Sequence, residues 1–324
     1  LTRRTVRRVV GGADRGYGAK IANACAELKF YAKTAAILLV SRRLRRFSVG
    51  TMSEQTCVLV LGMGPLASTA ARLLLLAGYA VALHQAEDPK ILRRKMSFAD
   101  SWAGGRACLD GVEARMIRRE REFLAGLRQK SFIPVLARPL AGAVERWPWD
   151  VIVDGSSESG SAADPDSFDA PFRVGLGPGL VAGENCDLVI ATDGPDPGAV
   201  IRTGSAPPAE ARGEIGFFTA GLAEAPHPGR FRAEREIGEM VSRGDLLGHV
   251  GETPIAAPRA GRLVGLRRPG AAVAEGEALA EVALDPLTPF SGVGRAEQAI
   301  ARAVLLAVQM ELNGWAPVEL KRFV

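Results

Sequence analysis

The sequence predicts an α/β fold in which a doubly wound parallel sheet is followed by a small repeated β module and a closing helix. Three observations carry that prediction. A strand-length apolar run, a glycine turn and an amphipathic helix follow one another between residues 57 and 78; further strand-length apolar runs alternate with helical stretches up to residue 192; and residues 229–282 repeat with a 32-residue offset.

The first unit sets the architecture. Cys57 to Leu61 is apolar throughout and too short for a helix, so it reads as a strand buried on both faces. Gly62-Met63-Gly64-Pro65-Leu66-Ala67 then turns the chain into a helix from Leu66 to Ala77. Gly62 permits the tight turn, Gly64 lets an anion approach the backbone, and Ala67 is small enough for close helix–strand packing, so the free N–H groups at the helix start can hold a phosphate. The same turn also occurs in folds that bind nothing there.

Tyr79 to His84 reads as the second strand. At its end a dinucleotide-binding fold offers an acid to the ribose hydroxyls, but here the chain reads His84-Gln85-Ala86-Glu87-Asp88, with its acids late. Arg93-Arg94-Lys95-Met96-Ser97-Phe98 is a compact basic cluster, suited to neutralising a phosphate or to a solvated turn. Glu120 to Gln129 carries a charged helical pattern, and Ile133 to Ala137 and Asp150 to Asp154 read as buried strands, which makes four βα-type units. Gly155 to Phe168 has almost nothing to bury and reads as a mobile loop or linker, marking a domain edge or a lid. A strand from Phe172 to Gly175 then enters Gly175-Leu176-Gly177-Pro178-Gly179, a second glycine loop, either an anion nest or a Pro-Gly turn between strands. Asp187 to Thr192 is the next strand, and an amphipathic helix over 296–312 closes the chain.

Within the repeat, Gly229, Arg230, Gly238, Val241, Gly244, Leu247 and Val250 recur as Gly261, Arg262, Gly270, Val273, Gly276, Leu279 and Val282. Identities confined to glycine turns and apolar strand positions indicate two copies of one β unit, neither able to bury a core alone. The pattern resembles the barrel-sandwich hybrid of biotinyl and lipoyl carrier domains. Those carriers modify a lysine in the hairpin between the halves, whereas the hairpin here is Gly251-Glu252-Thr253-Pro254-Ile255-Ala256-Ala257-Pro258. With no lysine between Lys130 and Lys321, there is no amine to acylate, so no biotin or lipoate attachment is expected.

Composition excludes several classes. The formal charge is +5, yet residues 1–50 hold twelve Lys and Arg against Asp14 and Glu27, which leaves 29 basic and 34 acidic residues for the rest. An acidic body argues against a nucleic acid partner. Cys25, Cys57, Cys108 and Cys186 are widely spaced with no Cys-x-x-Cys pair, which argues against a zinc site and for reduced thiols. No apolar run approaches a bilayer span, and Ala35 to Val40 is too short and too far in for a secretory signal, so a cytoplasmic protein with no membrane partner is expected.

The expected divisions are a basic extension over 1–51, a Rossmann-like glycine-loop domain over 52–225, the barrel-sandwich hybrid over 226–285 and a C-terminal helical segment over 286–324. The extension, with Arg-Arg pairs at 3, 7, 42 and 45 and no methionine before Met52, reads either as a basic arm or targeting segment or as an over-extended start.

The order of these pieces resembles the accessory proteins of selenium-dependent molybdenum hydroxylases, similar in role to xanthine dehydrogenase accessory proteins. The stretches that carry the resemblance are Gly62 to Ala67, Arg93-Arg94 with Ser97-Phe98-Ala99, Gly111-Val112, Pro134 to Leu136, Asp150 to Asp154, Gly175 to Gly179 with Ala182-Gly183, Gly204 to Ala206, Gly213-Glu214-Ile215-Gly216, and Ala257-Pro258 with Gly261. Departures are Pro65 where the family has an acid, Gln85 at the end of the second strand, the polar 155–168 loop in place of a Lys- and Asn-containing segment, and Gly194-Pro195-Asp196 in place of Arg-Gly-His.

The resemblance implies a protein that holds molybdopterin or a related phosphorylated cofactor for a client oxidoreductase. The expected ligand contacts are Gly62, Gly64, Ala67, Arg93, Arg94, Ser97, Gly175, Gly177, Gly179 and Glu214. Two other functions stay open: a nicotinamide-dependent oxidoreductase, and a non-catalytic scaffold whose β module binds a partner protein. No nucleophile–base pair, metal constellation or paired carboxylates point to a hydrolase, and no catalytic residue is assigned.

Overall fold

The computed structural model describes residues 55–145, 147–159, 170–206 and 221–313. The extension and the Gly213–Gly216 segment with Glu214 lie outside these residues. Five strands make the centre of a sheet: β1 (Cys57–Leu61), β2 (Ala80–His84), β5 (Ile133–Leu136), β6 (Val151–Asp154) and β7 (Phe172–Leu176). All but one of their residues, Arg173, are buried, because both faces of the sheet are covered. β3 (Arg106–Leu109), β4 (Val112–Met116), β9 (Leu188–Ile190) and β10 (Val200–Ile201) extend the order to β10-β9-β7-β6-β1-β2-β5-β4-β3. Pairing is parallel from β4 to β9 and antiparallel at both edges. The short β8 (Val181–Ala182) and β11 (Gly204–Ser205) pair separately.

Alternate residues of the same strand feed two cores. Val58, Val60, Val81 and Leu83 face α1 (Pro65–Leu76), whereas Leu59, Leu61, Ala80 and Ala82 face α3 (Glu120–Gln129). Pro65 opens α1 at a position where its missing N–H costs nothing, and Gly78 ends it at φ +94°. A short α2 (Asp100–Gly104) precedes β3, and α4 (Leu140–Val144) lies between β5 and β6. The last helix, α5 (Arg295–Asn313), buries Ile300, Ala301, Val304, Ala307 and Val308 in the first core beside α1.

One expectation changes here. The stretch after β2 is not another βα unit: β3 and β4 form a hairpin around Asp110 (φ +42°) and Gly111 (φ +83°), the two positive φ angles that a tight hairpin turn needs. β7 pairs directly with β6, Asp154 opposite Gly175, so the same sheet continues on both sides of residues 155–168, of which 160–168 lie outside the described residues.

The repeat builds two four-stranded sheets, β12-β19-β17-β14 and β16-β15-β13-β18. The strands are β12 (Gly221–Glu224), β13 (Gly229–Ala233), β14 (Met240–Val241), β15 (Leu246–Val250), β16 (Thr253–Ala256), β17 (Gly261–Leu266), β18 (Ala272–Val273) and β19 (Ala278–Ala283). Each copy lends its short middle strand to the other. Val241 pairs with Gly261, and the equivalent Val273 pairs with Gly229. Phe231 opposite Val250 likewise maps onto Leu263 opposite Val282. This exchange is why neither half closes a core alone, and Phe231, Leu247, Leu263 and Leu279 from both copies meet in one.

Candidate functional site

β2 lies on one side of β1 and β6 on the other, so the chain reverses its direction of travel across the sheet between β1 and β6. Ligands of open α/β sheets bind outside the carboxyl ends of the strands at such a point. Here it is formed by the Gly62–Gly64 turn, the start of α1 and the segment after β6. Gly62, at φ +92°, must be glycine because a Cβ would fall 2.5 Å from the Gly155 carbonyl oxygen. Its N–H donates to the His84 carbonyl at 2.9 Å. Ala67 is fully buried, and a Cβ on Gly155 would lie 3.0 Å from its own.

The amino terminus of α1 is capped by no side chain of its own first turn. Its donors are met by Glu158, in the 3-10 turn after β6 (Ser156–Ser159). Leu66 N–H donates to Oε1 at 3.2 Å and to Oε2 at 3.0 Å, and Ala67 N–H donates to Oε2 at 3.1 Å. Burial, with like charge from Glu297 and Asp193, pushes this carboxyl up to about 7 against the pull of the two amides. Asp154, at the end of β6, accepts from the backbone and hydroxyl of Ser156 at 3.1 and 2.6 Å, which fixes the turn that delivers Glu158.

The other expected contacts distribute differently. Arg93 and Arg94 bring no charge to this crevice: Arg93 pairs with Glu281 at 2.6 Å, and Arg94 donates to the Leu266 carbonyl at 2.8 Å and to Asp100 at 2.6 Å. Together with Lys95, bonded to the Ile237 carbonyl at 2.7 Å, they fasten the β module to the sheet domain. Ser97 is buried and its hydroxyl donates to the Arg94 carbonyl. Arg94 and Ser97 line instead a cleft of about 600 Å³ along β3, with Lys95, Arg106, Cys108 and Asp110.

In the second glycine loop, Gly175 belongs to β7, and the Gly177 N–H is spent on the Ile190 carbonyl at 2.9 Å, so that amide is turned into the sheet rather than toward an anion. Gly177 and Gly179 do adopt positive φ, +79° and +92°, and a Cβ on Gly177 would meet Thr192 Oγ1 at 2.6 Å. His84 is buried with Nε2 2.8 Å from the Arg138 carbonyl oxygen, and burial lowers its pKa. Sequence reasoning missed Glu158, because it sits in a polar stretch shared with Asp164 and Asp166 and only the folded turn selects it. Among the described residues no group of three or more His, Cys, Asp or Glu is placed to hold a metal ion, and no helix is long and apolar enough to cross a membrane.

No family model matches the chain. It is 32% identical over 270 residues to the uncharacterized protein YqeB of Escherichia coli (strain K12), an alignment that covers 81% of this chain and 49% of that protein. The chain thus spans about half the length of this relative. Among solved structures, the apo ectoine utilization protein EutE (DoeB) from Ruegeria pomeroyi aligns at 16% identity and a TM-score of 0.23, over 72% of this chain and 87% of that one. A succinylglutamate desuccinylase from a Silicibacter species aligns at 16% identity and a TM-score of 0.21, over 72% and 86%. Superpositions this loose carry no argument about fold or activity.

Proposed function

We propose that the chain is an accessory protein that holds a phosphorylated, pterin-like cofactor of the molybdopterin type at the crevice between β1 and β6 and passes it to a client oxidoreductase in the cytoplasm. The glycine-loop domain acts as a Rossmann-like holder, and the repeated module is a barrel-sandwich hybrid kept for structure or partner contact rather than acylation. One observation carries the reading: two amides at the start of α1 already converge on an anionic group at 3.0 to 3.2 Å. The phosphate end of such a cofactor would take the Leu66 and Ala67 N–H groups as donors beside Gly64, in the place where Glu158 now lies. Its redox chemistry would belong to the client, while this chain would bind and shield it.

The nicotinamide-dependent reading is less well supported. The end of β2 carries buried His84 and Gln85 where an acid would meet a ribose, and of the two acids that follow, Asp88 is committed to Arg268 at 2.8 Å. The test is purification from the native host followed by mass spectrometry of released small molecules, with calorimetry against NAD and NADP. A phosphorylated pterin or related cofactor is expected in the wild type and not in Gly64→Asp, whose carboxylate would occupy the crevice. Tight NAD binding, lost in Gly64→Asp, would replace this reading with a dehydrogenase.

A further inference from the structure

Resting on the reading of the crevice as an anion site, we infer that Glu158 is a built-in competitor for it, an autoinhibitory carboxylate that holds the start of α1 until a small oxyanion or phosphate monoester takes its place. Glu158 already makes the bonds such a ligand would make, to Leu66 and Ala67 N–H. The backbone is shaped to it as well. A Cβ at position 64 would lie 2.6 Å from both Cβ and Oε2 of Glu158, so the glycine that would admit a phosphate is the one the glutamate requires.

The contact is opposed by its surroundings. Asp193, in the turn after β9, and Glu297, in the first turn of α5, both act on Glu158 with like charge. The first turn of α1 carries no acid, and residues 62–64 are Gly, Met and Gly. On β6, Asp154 is engaged with Ser156, and Arg93, which neighbours Glu297, is committed to Glu281. A contact held by two amides against two carboxylates can be exchanged. The carboxyl is pushed up to about 7 in this position and falls back once it is displaced, so the contact is firmest when protonated and weakens as pH rises. Displacement releases a proton, so an anion of constant charge competes best on the alkaline side.

The test uses sulfate, whose charge is constant from pH 6 to 8, titrated into the full chain and read at the Leu66 and Ala67 amide resonances. The wild type should bind about tenfold more tightly at pH 8 than at pH 6, the change in the ionised fraction of a group titrating near 7. Glu158→Gln should bind with little pH dependence, at least as tightly as the wild type does at pH 6. If Glu158→Gln does not fold, Glu158→Asp, too short to reach both amides, should likewise bind with little pH dependence. Equal, pH-independent binding by the wild type and the variant overturns the inference but leaves the anion site standing. No response at Leu66 and Ala67 in any variant overturns both.

Discussion

Arg93 and Glu281 meet in a two-pronged ion pair across the seam between the sheet domain and the β module, with Nε to Oε2 at 2.9 Å and Nη2 to Oε1 at 2.6 Å. Both side chains are mostly buried, and the pair raises the Arg93 pKa further above its ordinary range. The same seam carries Arg94 to the Leu266 carbonyl, Arg268 to Asp88, and the Leu266 N–H to the Leu92 carbonyl.

Removing one partner leaves the other charge half-desolvated. Arg93→Ala should destabilise the chain by about 1–3 kcal/mol in urea unfolding. Arg93→Lys should recover only part of that, since an ammonium cannot reproduce the fork. An unchanged midpoint in Arg93→Ala would show that the backbone contacts hold the seam alone.

Two glycines of the β module separate conformational strain from steric exclusion. At Gly244, φ is +89° and a Cβ would meet nothing within 4 Å, so Gly244→Ala should cost about 1 kcal/mol in thermal unfolding. At Gly261 a Cβ would sit 2.0 Å from the Ala283 carbonyl oxygen, in the central strand pair of its sheet. Gly261→Ala should cost more than about 3 kcal/mol or prevent folding. Similar losses at the two positions would refute the distinction.

Glu158 also couples stability to pH. Its carboxyl is raised from 4.5 to about 7 on folding, so the folded chain binds the proton more tightly than the unfolded chain. The resulting stabilisation is fully present below pH 4.5 and is lost as pH rises through 7. Discounted for partial exposure, the loss is roughly 2 kcal/mol. Denaturant titrations from pH 5 to 8 should show this decline in the wild type and not in Glu158→Gln. Parallel pH profiles would place the titration elsewhere.

The thiols differ in access and acidity. Cys108 is exposed on β3, whereas Cys57 and Cys186 are buried, and burial pushes the Cys186 thiol up to about 11. Brief treatment with a thiol reagent at pH 8, followed by peptide mapping, should label Cys108 well before Cys57 and Cys186, which should react only in denaturant. Early labelling of Cys186 would mean that the β7–β9 region opens readily.

Much of the fold was legible in the chain, because strands buried on both faces announce themselves as apolar runs. Cys57–Leu61 and Ile133–Leu136 fell where those runs place them, and α3 matched its charged pattern end to end. The 32-residue repeat appeared in the folded chain as equivalent pairings. The β3–β4 hairpin had a readable signal, Asp110-Gly111, but its short strands are partly exposed and carry no continuous apolar run.

By itself, the sequence determined the glycine turn at 62–64, the helix that follows it and the absence of an acylable lysine, because these depend on steric size and on chemistry local to the chain. Only the tertiary structure decided where the charges went. It sent Arg93 and Arg94 to the seam, turned the Gly177 amide to Ile190, and brought Glu158 across 92 residues of chain to the first turn of α1. A charged side chain takes the partner that offsets its desolvation, and which partner lies within reach is fixed by strand order and packing, which no local pattern encodes.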